Sequence, residues 1–166
     1  MTTYCDYCNS HPEDTQYGFP LQEDNLLFER LILEINQASL SWIRILRKAD
    51  NFRKAYNGFD IEKIASYSEI DRIIRNRLKV NAAIFNAQKI RELQTEYGSF
   101  KGWLDANQDL SKEEWIKLFK KTFVFTGGEI VNEFLVSTGY LPGPHDQSCP
   151  TYKKVASLQP AWMRNL

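Results

Sequence analysis

Apolar residues recur along this chain at offsets of three and four, a spacing that only packed helices can bury. The clearest stripe is Leu27, Phe28, Leu31, Ile32 and Ile35, on one face of a helix expected from about Asp24, a candidate N-cap, to about Asn36. No hairpin turn sits between alternating apolar and polar runs, so sheet is not expected. A second helix carries Trp42, Ile43, Ile45 and Leu46, with Arg44, Arg47 and Lys48 on its exposed face. Phe52, Ala55, Tyr56 and Phe59 carry the pattern on to a break at Gly58, and Asp60 and Ser68 read as N-caps of two short helices.

The longest helix is expected from about Asn76 to Tyr97, with Val80, Ala83, Ala87 and Ile90 along one side and Gly98 as its C-cap. Ser111-x-x-Glu114 and Thr126-x-x-Glu129 read as capping boxes opening two more helices, the second ending at Gly139. After Pro142, Pro144 and Pro150 a polar tail is expected, in which Trp162 either docks or hangs free. The reading is one all-α domain over residues 1–166, with loops at 1–20 and 140–166.

Charge decides which partners need local rather than global explanations. The chain has 21 basic and 21 acidic residues, so it has no overall attraction for nucleic acid. Contact with a phosphate backbone would have to come from a patch such as Arg72, Arg75, Arg77 and Lys79, where Asn76 is a candidate N-cap, or from Lys117, Lys120 and Lys121. Either run reads equally well as a solvated basic face. No stretch is apolar for long enough to span a bilayer, and Met1 is followed by polar residues and Cys5, so a cytoplasmic chain without membrane contact is expected.

Two constellations carry chemistry. Cys5, Cys8 and His11 lie near one end and His145-x-x-x-Cys149 near the other, and these hold every cysteine and histidine of the chain. Thiolates and imidazoles in such a set suit a tetrahedral zinc ion that ties the two ends together. Glu34 is the second. Seven residues turn a helix by about 700°, which brings Glu34 to within about 20° of Leu27 on the core-facing side. A carboxyl group there either pairs with Arg30 one turn earlier or recognises a ligand. Trp42 follows after Gln37-Ala38-Ser39, as plain core or as a wall for a flat cationic ring.

The stretches Tyr17-Gly18-Phe19-Pro20, Leu27-Phe28-Glu29 and Leu33-Glu34-Ile35-Asn36-Gln37-Ala38-Ser39-Leu40-Ser41-Trp42 resemble the DNA-3-methyladenine glycosylase I family. Phe52-Arg53, Phe59-Asp60, Ile74-Arg75-Asn76-Arg77, Asn86-Ala87, Tyr97-Gly98-Ser99-Phe100 and His145-x-x-x-Cys149 extend the likeness in order. The resemblance implies a helix-hairpin-helix fold with a structural zinc joining its termini, and hydrolysis of the N-glycosidic bond of 3-methyladenine in DNA by base flipping. It implies Glu34 as the acid that hydrogen-bonds the flipped base, with Trp42 and Tyr7 lining the pocket. Arg75, Arg77 and Lys79 would meet DNA, and Cys5, His145 and Cys149 would hold zinc. Members of the family carry a tyrosine-histidine-aspartate run before the aromatic-Gly-x-Pro motif. Here that stretch reads Glu13-Asp14-Thr15-Gln16, so the fourth ligand falls to His11 or Cys8. The hairpin before Ile74 also lacks its usual glycine. The implied partners are double-stranded DNA with alkylated bases and free 3-methyladenine as product, for a monomeric protein. The competing reading is a glycosylase-like module that has lost catalysis and binds damaged DNA or a protein.

Overall fold

The computed structural model describes residues 5, 6, 10, 17–36, 42–67 and 77–164, with 42–47 and 77 described in backbone only. The expectations placed on Tyr7, Cys8, His11, Ser68, Arg72, Arg75 and Asn76, and on the side chains of Trp42 and Arg77, lie outside the described residues. Within them the chain is helical and shows no strand. The helices are α1 (Asp24–Asn36), α2 (Trp42–Ala55), α3 (Ile61–Ala65), α4 (Arg77–Tyr97), α5 (Phe100–Ala106), α6 (Lys112–Thr122), α7 (Gly128–Ser137), α8 (Pro150–Ser157) and α9 (Ala161–Arg164). A single 3₁₀ turn, Asn57–Phe59, joins α2 to α3.

Helix α1 is the axis of the domain, packed against α2, α4, α5 and α7. Every residue from Leu27 to Ile35 is buried, so it is enclosed on all sides rather than amphipathic. An aromatic cluster fills the space beside it: Phe100 and Trp103 of α5, Trp115 and Phe119 of α6, and Phe134 of α7 are each at most 3% exposed. Their rings meet at centroid distances of 5.5–6.3 Å in stacked, tilted and edge-on pairs, the offsets that ring quadrupoles favour. Burying this much apolar surface fixes the relative positions of α1 and α7, and the candidate site lies between them.

Local chemistry explains where elements begin and end. Ser111 and Glu114 form the expected capping box at the start of α6. Asp60 caps α3 by accepting from Lys63 N at 3.1 Å. Gly98 leaves α4 at a φ of +83°, the left-handed conformation that a glycine allows without strain.

Three expectations are corrected. Asp24 is the first residue of α1 rather than the residue before it, and its carboxylate serves another helix. It accepts from Phe100 N at 2.8 Å and Lys101 N at 3.0 Å, satisfying free amides at the start of α5. The Thr126 box does not form. Gly127 takes the cap position of α7, while the Thr126 hydroxyl turns inward and donates to Phe119 O at 3.1 Å, because a buried hydroxyl must find an acceptor. The polar tail is helical: α8 starts with Pro150 in its first turn, where a missing N–H costs nothing. α9 follows, and its Ala161 is buried, with Trp162 N donating to Gly139 O at 3.4 Å.

Candidate functional site

Glu34 reaches the interior because α1 is buried all round. It is 5% exposed, and its Oε1 has no hydrogen-bond partner among the described residues. Burial, reinforced by the charge of Glu133 and opposed by that of Arg30, pushes its pKa from the usual 4.5 up to about 8. The bland possibility, a tight ion pair with Arg30, would have lowered it. Arg30 instead directs its guanidinium to the carbonyl of Ser137 at the end of α7, at 3.0 Å. Glu34 is therefore largely a neutral acid at pH 7, with one oxygen held away from water and left to be satisfied.

Tyr17 and Glu133 complete the neighbourhood. The Tyr17 hydroxyl donates to Glu133 Oε2 at 2.9 Å, and burial together with Glu133 raises the phenol's pKa. Tyr17 is in place because the loop before α1 is pinned next to α7. Gly18 N donates to Ser137 O at 2.7 Å. Gly18 has a φ of +85°, and a Cβ on it would come within 2.5 Å of Pro144 Cβ. Only glycine lets this loop lie against the segment carrying His145.

That segment holds the second constellation. Cys5, His145 and Cys149 place one donor atom each within 4.8 Å of one another, a grouping able to hold a metal ion. His145 Nδ1 lies 3.9 Å from Cys5 Sγ and 4.0 Å from Cys149 Sγ. Its other nitrogen, Nε2, is 2.9 Å from the carbonyl oxygen of Tyr17. A carbonyl can only accept, so Nε2 carries the proton and the Nδ1 lone pair faces both sulfurs. The same tyrosine thus links the metal-capable group, through its carbonyl, to the acidic cluster, through its hydroxyl.

Of the residues singled out from sequence, Glu34 is buried at this cluster, and Cys5, His145 and Cys149 come together as expected. Lys79 is half-buried, and its ammonium donates to Asn36 O at 3.2 Å, at the C-terminus of α1 and half a turn beyond Glu34. Lys117, Lys120 and Lys121 lie on the exposed side of α6, opposite Trp115 and Phe119. Glu133 was not anticipated. Nothing in the sequence marks it, since its partner is 116 positions away. Asn86, noted only as part of a motif, is fully buried and clamps Val124 through both backbone groups, at 3.0 and 3.1 Å.

A buried acid on a central helix, with one oxygen unpartnered among the described residues and the Tyr17 loop pinned beside it, marks a helical protein with a candidate polar binding site. The chain belongs to the methyladenine glycosylase family, whose model matches residues 3–115. It is 29% identical to a DNA-3-methyladenine glycosylase of Haemophilus influenzae, in a match covering 90% of this chain and 98% of that protein. It is 37% identical to DNA-3-methyladenine glycosylase 1 of Escherichia coli over 49% of this chain and 48% of that one. Among solved structures, a mutant 3-methyladenine DNA glycosylase I in complex with 3-methyladenine superposes with a TM-score of 0.74 at 25% identity, covering 91% of this chain and 94% of the other. A glutamate-to-glutamine mutant of the Staphylococcus aureus enzyme gives a TM-score of 0.73 at 26% identity, with coverages of 88% and 92%.

Proposed function

We propose that this protein is a base-excision glycosylase that removes 3-methyladenine and related N3-alkylated purines from double-stranded DNA. The observation that carries the reading is the orphaned Oε1 of Glu34, an acceptor buried in a family whose solved members include one in complex with 3-methyladenine. Gln108 Oε1, Trp115 Nε1 and Trp162 Nε1 are also buried without a partner, but of these atoms only Glu34 Oε1 belongs to an acid on the central helix, and a ligand that supplies a donor would satisfy it. The exocyclic amine of a flipped adenine is such a donor.

The chemistry asks little of the protein once the base is held. A flipped base is reached at a cost of about a few kcal/mol, less where pairing is already weakened by damage. N3-methylation places a positive charge on the ring, so the C1′–N9 bond breaks with its electron pair returning to the base. Water adds to C1′, its proton passes to solvent, and the products are neutral 3-methyladenine and an abasic site. Arrival of the cation reverses the balance at Glu34: the positive ring favours the ionised carboxylate that burial disfavours in the free protein. Trp42 and Tyr7 serve as pocket walls through cation–π contact. Arg75, Arg77 and Lys79 would meet the DNA backbone.

The metal-capable group serves structure. Zinc with bonds to sulfur of about 2.3 Å and to nitrogen of about 2.0–2.1 Å gives tetrahedral sulfur–nitrogen edges of roughly 3.6 Å. The observed 3.9 and 4.0 Å match a thiolate–imidazole set that tightens slightly on an ion. Cys5, His145 and Cys149 would be three ligands and His11 or Cys8 the fourth, stapling 1–20 to 140–166 in a single monomeric domain. No helix among the described residues is long and apolar enough to cross a membrane.

Release of free 3-methyladenine from methylated duplex DNA tests the reading. We expect release by the zinc-loaded chain. Salt-sensitive binding to damaged DNA without release would identify the non-catalytic module instead.

A further inference from the structure

We propose that Glu133 is a specificity-determining residue of the site around Glu34, a second acidic group, held by Tyr17, that favours a cationic base over a neutral one of the same shape. The inference rests on Glu34 being the base-recognition acid and deepens that reading by assigning the source of charge selectivity.

Packing of α1 against α7 brings the participants together. Arg30 and Glu34 come from α1 and Glu133 from α7, whose terminal Ser137 carbonyl holds Arg30 at 3.0 Å. Arg30 and Glu34 stand one turn apart on α1, as Glu133 and Ser137 do on α7, so the Arg30–Ser137 bond sets the two turns side by side, and among the described residues the charges that act on Glu34 are Glu133 and Arg30, one of each sign. Counting Glu34 itself, the described residues of the cluster contribute two carboxyl groups and one cation. Without a ligand it resolves the mismatch by keeping Glu34 protonated. A ligand bearing one positive charge would let Glu34 ionise beside Glu133 and would balance these charges, whereas a neutral ligand would not. The 2.9 Å hydrogen bond that Glu133 Oε2 accepts from the Tyr17 hydroxyl fixes a side chain that would otherwise swing into solvent. Glu34 and Glu133 thus divide the work. Glu34 is buried and has an open oxygen for the base edge, and Glu133 is exposed and supplies charge from the solvent side.

The test compares affinities of the full-length, zinc-loaded chain for two free probes, the 3,9-dimethyladeninium cation and neutral 9-methyladenine. Wild type is expected to prefer the cation. Glu133→Gln keeps an acceptor for Tyr17 while removing the charge, and should reduce the preference by about fivefold, the scale of a partly solvated charge pair, leaving 9-methyladenine unchanged. Tyr17→Phe keeps the charge but frees the side chain, and should give a smaller loss of preference. The inference is overturned if wild type shows no preference for the cation, if Glu133→Gln keeps the wild-type preference, or if it weakens both probes equally. Failure of the wild-type chain to release 3-methyladenine from DNA, with the preference intact and sensitive to Glu133→Gln, would overturn the glycosylase reading and leave this one standing.

Discussion

Replacing Glu34 by Gln should change how stability depends on pH above the ordinary carboxylate range, and the size of that change separates a buried neutral acid from a structural ion pair. The folded-state pKa of about 8 lies well above the ordinary 4.5. Below pH 4.5 the group is protonated whether the chain is folded or not, and it costs nothing. Between 4.5 and about 8 the unfolded chain ionises while the folded one keeps its proton, so folding stability falls as pH rises. Above about 8 both forms are ionised, and the full cost of burying the carboxylate remains. At about 1.4 kcal/mol per pH unit, this interval amounts to roughly 3–5 kcal/mol. Urea unfolding at about pH 5 and about pH 9 measures it directly. The stability of Glu34→Gln relative to wild type should rise by roughly that amount between the two conditions. A difference that stays constant would show that Glu34 titrates normally. An ion pair with Arg30 would also leave it constant over this range, because both states are then ionised, and either outcome would make the account of the site wrong.

Other consequences follow from the same contacts. Gly18→Ala places a Cβ within 2.5 Å of Pro144 at a φ of +85° and should cost about 1–3 kcal/mol, read as a fall in Tm of several degrees; an unchanged Tm would mean that the loop is not pinned there. Chelation of a zinc-loaded sample, or Cys149→Ser, should lower the Tm and release about one equivalent of metal, and a chelator-insensitive Tm would remove the staple. Asp24→Ala strips the acceptor from two amides at the start of α5 and should cost about 0.5–2 kcal/mol in chemical denaturation, whereas Asp24→Asn should cost less.

What could be read from the sequence follows a physical division. The stripe from Leu27 to Ile35 and the seven-residue spacing from Leu27 to Glu34 are local facts, and α1 with its inward acid was visible in them. So was the capping box of α6, since Ser111 and Glu114 answer each other within one turn. Thr126 and Glu129 have the same spacing, but Gly127 and Gly128 let the chain start the helix one residue later, and the hydroxyl found a buried carbonyl instead. Helices α5, α8 and α9 have 7, 8 and 4 residues, too short for periodicity to declare itself, although Ser99 before α5 and Pro150 at the start of α8 were local signals. The role of Asp24 depends on a partner 76 positions away, and that of Glu133 on one 116 away, so no local pattern could reveal either. The cysteine and histidine cluster was legible because those residue types are so scarce here that their placement at the two ends carried the information.

The central claim is that Glu34 receives an alkylated adenine flipped from DNA. Single-turnover release of 3-methyladenine from a duplex carrying that lesion, by wild type and by Glu34→Gln, tests it most directly. Loss of a charged hydrogen bond to the base should slow release by about 10- to 100-fold in the variant, without loss of fold at neutral pH. Equal rates for the two proteins would remove Glu34 from base recognition and contradict the account.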